Sequence, residues 1–236
     1  VQIISLSAPQ PKCGKDTLYE LFKQRHTDLN VYRLAFGDYL KKEVAEMLYA
    51  SRYVYLPVDY IIEEMNDQSL KDKPMAALSL DCLIDCEFKR WALQHHAKYA
   101  PRSLRWYLQY YATDYMRKFK GEEFYWIGKV MDTIKTMPSD SYVFITDTRS
   151  INEAETLRNN RALMLKVVPD WELPVIVKHG SDTALDNYKF DSVIINRKDD
   201  KLSMVYELEA LLGGTFLINP HYSKKTHNNR SNKLYG

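Results

Sequence analysis

Residues 3–17 constrain this chain more than any other stretch. Ile3-Ile4-Ser5-Leu6 is an apolar strand, Ser7 to Cys13 a loop, and Gly14-Lys15-Asp16-Thr17 the opening of a helix. Leu18, Leu21 and Phe22 then recur at helical spacing, with Glu20, Lys23, Gln24 and Arg25 on the other face. A strand that passes through such a loop into a helix aims unpaired backbone N–H groups and the positive end of the helix dipole at one point. A lysine there adds a full charge, so the layout is that of a phosphate-binding P-loop. Set against GxxxxGK[ST], the chain departs in two places: Pro9 stands at the first glycine and Asp16 at the final hydroxyl. Pro11 also removes one backbone donor.

The rest of the chain repeats the strand–helix rhythm. A second strand is expected over Val31–Phe36, followed by a helix from about Asp38 carrying Leu40, Val44, Met47 and Leu48 on one face. Later strands are expected at Tyr142–Thr146, Leu163–Val168 and Ser192–Ile195, with helices at Ser150–Asn160 and Leu202–Leu212. This alternation predicts an α/β fold with a central parallel sheet. Between them, Ser51 to Pro101 reads as an inserted, mainly helical region. It leads into an aromatic helix over Ser103–Phe119 and another over Glu122–Met137, stopped by Pro138. A length of 236 residues suits one domain over 1–218, with positions 51–137 as a helical insertion and substrate lid. Residues 219–236, with Lys224, Lys225, Arg230 and Lys233 and no acid, read as a loosely ordered basic tail.

Composition excludes several classes. A net charge of +2 does not advertise a nucleic-acid-binding domain, so any phosphate recognition must come from local clusters. Three cysteines without paired zinc spacing suit a reducing cytoplasm. Cys82 and Cys86, four apart, would share one helix face as small core residues. No apolar run approaches the roughly twenty residues of a membrane span and no signal peptide precedes Val1, so a soluble protein is expected.

Four groups of residues carry chemistry. The first is the loop itself, with Lys12, Cys13, Gly14, Lys15, Asp16 and Thr17. Asp16, directly or through water, and Thr17 are the groups that would face Mg²⁺, with helix capping the structural alternative for Asp16. The second is Leu40-Lys41, where cations in the first turns of a helix oppose its dipole unless an anion joins them. Third, Arg105, Gln109 and Thr113 form a polar stripe among aromatic residues, costly to bury without a ligand, and Trp126 downstream offers a flat wall for a base. The fourth is Asp147-Thr148-Arg149 at the carboxyl end of a strand, where open α/β sheets hold ligands, with Glu153 beyond. Arg149 offers a fork to phosphate oxygens and Asp147 a carboxylate for a Mg²⁺-bound water or for the arginine. Ser150-Ile151-Asn152-Glu153 also spells a capping box, which gives Glu153 a structural alternative.

In order and type these residues resemble the bacteriophage deoxynucleoside monophosphate kinases. The likeness runs from position 3 to about 168. It rests on Gly14-Lys15-Asp16-Thr17, Leu34-Ala35 with Leu40-Lys41, Arg105 through Gln109 to Thr113-Asp114, Tyr125-Trp126, and Asp147-Thr148-Arg149 with Glu153. Aspartate after the P-loop lysine is a habit of that family. Ala112 stands where the family has a glycine. The resemblance implies a three-layer P-loop kinase fold and transfer of the γ phosphate of ATP, with Mg²⁺, to a deoxynucleoside 5′-monophosphate. It implies Lys12, Gly14, Lys15, Asp16 and Thr17 for ATP, and Lys41, Arg105, Gln109 and Trp126 for the monophosphate. Thr113, Asp147, Arg149 and Glu153 match further site positions, with Arg149 or Arg105 steadying the transition state. No membrane or nucleic-acid partner is expected, and a homodimer is left open. Two rivals share parts of this pattern: a kinase for another small phosphorylated acceptor, and a nucleotide-gated nucleic-acid-binding module using the aromatic helix and basic tail.

Overall fold

The computed structural model describes residues 1–51, 56–173 and 184–213. Five strands, β1 (Gln2–Ser7), β2 (Val31–Leu34), β3 (Tyr142–Ile145), β4 (Leu163–Pro169) and β5 (Ser192–Asn196), form one parallel sheet in the order β2-β3-β1-β4-β5. The central strands are apolar on both faces because both are covered. Ile3, Val143, Ile145 and Met164 point into one core and Ile4, Leu6, Phe144, Leu165, Val167 and Ile194 into the other.

Helices α1 (Lys15–Arg25) and α9 (Ser203–Leu211) close the second core with Leu18, Phe22, Met204, Val205 and Leu208. The first is closed by α2 (Phe36–Ala50), α7 (Tyr125–Lys135) and α8 (Ile151–Asn159) through Val44, Leu48, Trp126, Val130 and Leu157. The result is the expected three-layer α/β arrangement. Leaving β1, the chain crosses one face to reach β2 at the sheet edge, then returns across the other face to β3 and on to β4. A single crossover handedness requires that change of face when the direction reverses.

The segment between α2 and β3 is helical, as expected, but in short pieces: α3 (Val58–Asn66), α4 (Gln68–Lys71), α5 (Glu87–Ala92), α6 (Leu104–Gln109) and α7. Aromatic packing holds it together. The Phe88 ring lies 5.3 to 6.1 Å from those of Trp91, Tyr107, Tyr111 and Tyr115, and the buried Tyr107 hydroxyl donates to the Leu78 carbonyl at 2.9 Å.

Three local expectations change. Helix α2 begins at Phe36 and not near Asp38, because Asp147, just past the end of the neighbouring strand β3, caps it from outside. Cys86 is the extended residue before α5 and Cys82 lies in the preceding turn, so the pair shares no helix face; both thiols are part-buried. The helix over 104–119 is α-helical only as α6 (Leu104–Gln109) and continues from Tyr110 to Phe119 with wider π-type turns. The basic tail from position 219 lies outside the described residues. Among the described residues no helix is long and apolar enough to cross a membrane.

Candidate active site

The carboxyl ends of β1, β2 and β3 open on a cleft of about 490 Å³, at the point where connections leave the sheet for opposite faces. Its walls carry seven cationic side chains (Lys12, Lys15, Arg33, Lys41, Lys71, Arg117, Arg149) against four anionic ones (Asp16, Asp38, Asp147, Glu153). That local excess of three exceeds the +2 of the whole chain, so positive potential is concentrated in the cleft.

The loop after β1 delivers Lys15 to the first turn of α1. Lys12 and Gly14 adopt left-handed φ values of 66° and 103°, and the Cys13 carbonyl between them accepts a 2.9 Å bond from Asn196 Nδ2 at the end of β5. A strand from the far side of the sheet therefore sets the shape of the loop. No side chain caps α1, which leaves its amino end to a ligand. The Lys15 ammonium is held below the usual lysine range, first by burial and next by the Arg149 guanidinium; Asp16, Cys13 and Asp147 offset this in part. Two cations held together in a partly dry site are complementary to a multiply charged anion. Lys15 and Arg149 also border a hollow of about 20 Å³ with Gln10, Lys166 and Asp186.

Asp147 sits at the floor of the cleft. Its carboxylate accepts from the backbone N–H of Phe36 at 2.9 Å and of Gly37 at 2.8 Å. Gly37 fits closely there, since a Cβ would lie 3.2 Å from Asp147 Oδ2, a tight contact. Burial pushes the Asp147 carboxyl up to about 6, helped by the Glu153 charge and opposed by the Gly37 and Phe36 N–H groups and by Arg149. In the unfolded chain the group titrates near 3.9. The fold therefore binds the extra proton between these values, and the stabilisation present below about pH 4 is withdrawn as pH rises through about 6. The shift bounds the effect at roughly 3 kcal/mol. Melting curves at pH 4 and pH 7 are expected to show this loss in the wild type and a smaller one in Asp147→Asn; equal losses would place the titration elsewhere.

The side of the cleft is an ion-pair chain. Arg33 on β2 bonds Asp16 at 3.1 Å and Asp38 at 2.8 Å, and Lys41 reaches Asp38 at 3.4 Å. Asp16 is thus oriented by Arg33 and does not cap its own helix. Lys71 on α4 is held below its usual range by burial, then by Arg105, with Lys41 and Arg149 adding to the effect. Trp126, 2 % exposed, forms an apolar wall, and its indole Nε1 is buried without a hydrogen-bond partner. Glu153 both caps and faces the cleft. Its Oε2 accepts from the backbone N–H of Ser150 at 3.0 Å and of Arg149 at 2.9 Å, and its Oε1 faces Arg117 Nη2 at 3.4 Å.

Of the residues singled out from sequence, Lys12, Lys15, Asp16, Leu40, Lys41, Trp126, Asp147, Arg149 and Glu153 line this one cleft. Cys13, Gly14 and Thr17 belong to the loop and helix turn that shape it. Arg105, Gln109 and Thr113 are not among its lining residues. Arg105 forks onto Asp72 and contacts Gln68, and Gln109 and Thr113 are exposed. Arg105 and Gln109 lie in the regular turns of α6; the π-type turns that begin at Tyr110 carry Thr113 off their stripe and bring Ala112 and Arg117, five apart, to the cleft. Arg33, a cation near the carboxyl end of a parallel strand, carried a signal that position alone would have revealed. Arg117 carried none. No protein-family model matches the chain, and a search of curated proteins finds no similar one.

Proposed function

We propose that the protein is a P-loop kinase that transfers the γ phosphate of ATP to a deoxynucleoside 5′-monophosphate. The observation that carries this reading is Lys15, held at the uncapped start of α1 beside Arg149 in a cleft with a surplus of cations. An anion with several charges is what such a site stabilises. The sheet order, with the loop on the central strand, and the resemblance in sequence support the same choice.

In this reading the loop N–H groups and Lys15 hold the β and γ phosphates. Lys41, backed by Lys71, holds the acceptor's phosphate, and Trp126 walls its base. An acceptor phosphate oxygen forms a bond to the γ phosphorus as the bond from that phosphorus to the β–γ bridging oxygen breaks, giving the nucleoside diphosphate and ADP. The work of the protein is alignment and charge neutralisation. Among the described residues no three His, Cys, Asp or Glu side chains are grouped to hold a metal ion. Mg²⁺ is commonly carried on nucleotide phosphates with one or two protein oxygens, and Asp16 and Thr17 in the first turn of α1 suit that role. It would neutralise phosphate charge.

The test is incubation of the protein with ATP, Mg²⁺ and each deoxynucleoside monophosphate in turn, resolving ADP and the diphosphates. Diphosphate formation that disappears in Lys15→Ala is expected. ATP binding without transfer to any of them would point to another phosphorylated acceptor, and salt-sensitive binding of single-stranded nucleic acid in its place to the non-catalytic rival.

A further inference from the structure

We propose that Arg117 is a ligand for a phosphate bound in the cleft, and that Glu153 is the positioning residue that aims it. The inference rests on the phosphotransfer reading and adds to that cleft a cation that sequence did not mark.

Glu153 is 7 % exposed at the side chain, and its two oxygens are divided between two tasks. Oε2 is taken by the backbone N–H groups of Arg149 and Ser150, which leaves only Oε1 for Arg117, at 3.4 Å from Nη2. A guanidinium binds best as a fork on two oxygens, and Glu153 cannot offer the second. The mismatch is visible on Arg117 itself, whose Nε is buried with no hydrogen-bond partner. An arginine held by one corner, with an unsatisfied donor and the cleft in front of it, is complementary to a group that carries several oxygens. A phosphate is such a group.

The backbone supports the same assignment. In regular α-helix Arg117 would stand about 140° round from Ala112. The π-type turns over Tyr110–Phe119 place both on the cleft. Such turns are uncommon and concentrate at functional sites. Through Glu153, the backbone of Arg149 and the side chain of Arg117 hang on one carboxylate, so the two arginines are aimed as a pair.

Inorganic tripolyphosphate, which carries the donor's phosphate chain without a base, is the probe. Its affinity is measured by calorimetry on wild type, Arg117→Met, Arg117→Lys, Glu153→Gln and Arg90→Met, with melting temperatures alongside. Arg90 pairs with Asp85 and does not line the cleft, so it serves as the charge control. Arg117→Met is expected to bind the probe about tenfold more weakly, with Arg117→Lys between the two because it keeps charge but loses the fork. Glu153→Gln keeps an oxygen for the backbone N–H groups and removes the charge that competes for Arg117. It is expected to bind tripolyphosphate several-fold more tightly yet to lower kcat at least tenfold, a split that a purely structural role would not produce.

Wild-type affinity in Arg117→Met, or a loss equal to that of Arg90→Met, overturns the ligand assignment. Parallel loss of affinity, kcat and melting temperature in Glu153→Gln overturns the positioning role. Tripolyphosphate binding that depends on Arg117, in a protein that phosphorylates no deoxynucleoside monophosphate, keeps Arg117 as a phosphate ligand and removes the acceptor assignment. Normal transfer by Arg117→Met does the reverse.

Discussion

Arg149→Ala protein is expected to keep its fold and, under the proposed kinase reading, to lose on the order of a thousandfold or more of kcat, the scale of a transition-state arginine in phosphoryl transfer. The fold should survive because Arg149 is an exposed residue. The contact that fixes its backbone, from its N–H to Glu153 Oε2 at 2.9 Å, does not involve its side chain. The chemistry should suffer because the guanidinium lies near enough to Lys15 to add to the burial that holds that ammonium below its usual range. Two cations side by side repel each other; a transferring phosphoryl group placed between them converts that repulsion into attraction. Steady-state kinetics at saturating ATP and acceptor, with melting curves to establish folding, check the result. Arg105→Ala is the contrast. That arginine forks onto Asp72 outside the cleft lining and is expected to leave kcat within a few-fold. A large effect at Arg105 with a small one at Arg149 would exchange their roles and overturn the assignment of Arg149 to the transition state.

The difference between those two arginines also marks where the sequence stopped being readable. Strands and the helices that follow them were legible because their apolar periods are local: Ile3, Ile4 and Leu6 alternate between two cores, and Leu18 and Phe22 recur one turn apart. The loop was legible because its residues are contiguous. Three other features depend on partners distant in the chain. Helix α2 starts at Phe36 because Asp147, more than a hundred positions later, caps it, and nothing near Ala35 announces this. Asn196 shapes the loop at Cys13 across 183 positions. The stripe of Arg105, Gln109 and Thr113 assumed 3.6 residues per turn throughout, and the aromatic packing around Phe88 accompanies a switch to wider turns that no residue-by-residue propensity encodes. For Glu153 the capping alternative is the one observed, in the oxygen that caps α8, while the other oxygen faces the cleft and Arg117.

Asn196 also makes Gly14 the position at which the smallest change should do the most damage to the loop. With φ at 103°, Gly14 occupies backbone space that side chains with a Cβ adopt only under strain. A Cβ built there would fall well inside contact distance of Asn196 Nδ2 and 3.0 Å from its Cγ. Asn196 cannot simply step aside, because Nδ2 is the donor to the Cys13 carbonyl and the residue is 3 % exposed. Gly14→Ala therefore combines backbone strain with a displaced buried amide, on the order of 3 kcal/mol. For a chain of this size that is a fall of roughly 6–12 °C in melting temperature. Tripolyphosphate binding should fall with it, since the Cys13 peptide and the N–H groups beside it turn out of line. Adding Asn196→Ala to Gly14→Ala separates the two causes. Removing the amide relieves the clash but leaves the positive φ, so the double variant should recover part of the melting temperature while loop function stays impaired. The coupling between the two sites is then the clash itself. Strictly additive losses would mean that Asn196 and Gly14 do not meet, and the anchoring of the loop by β5 would have to be abandoned.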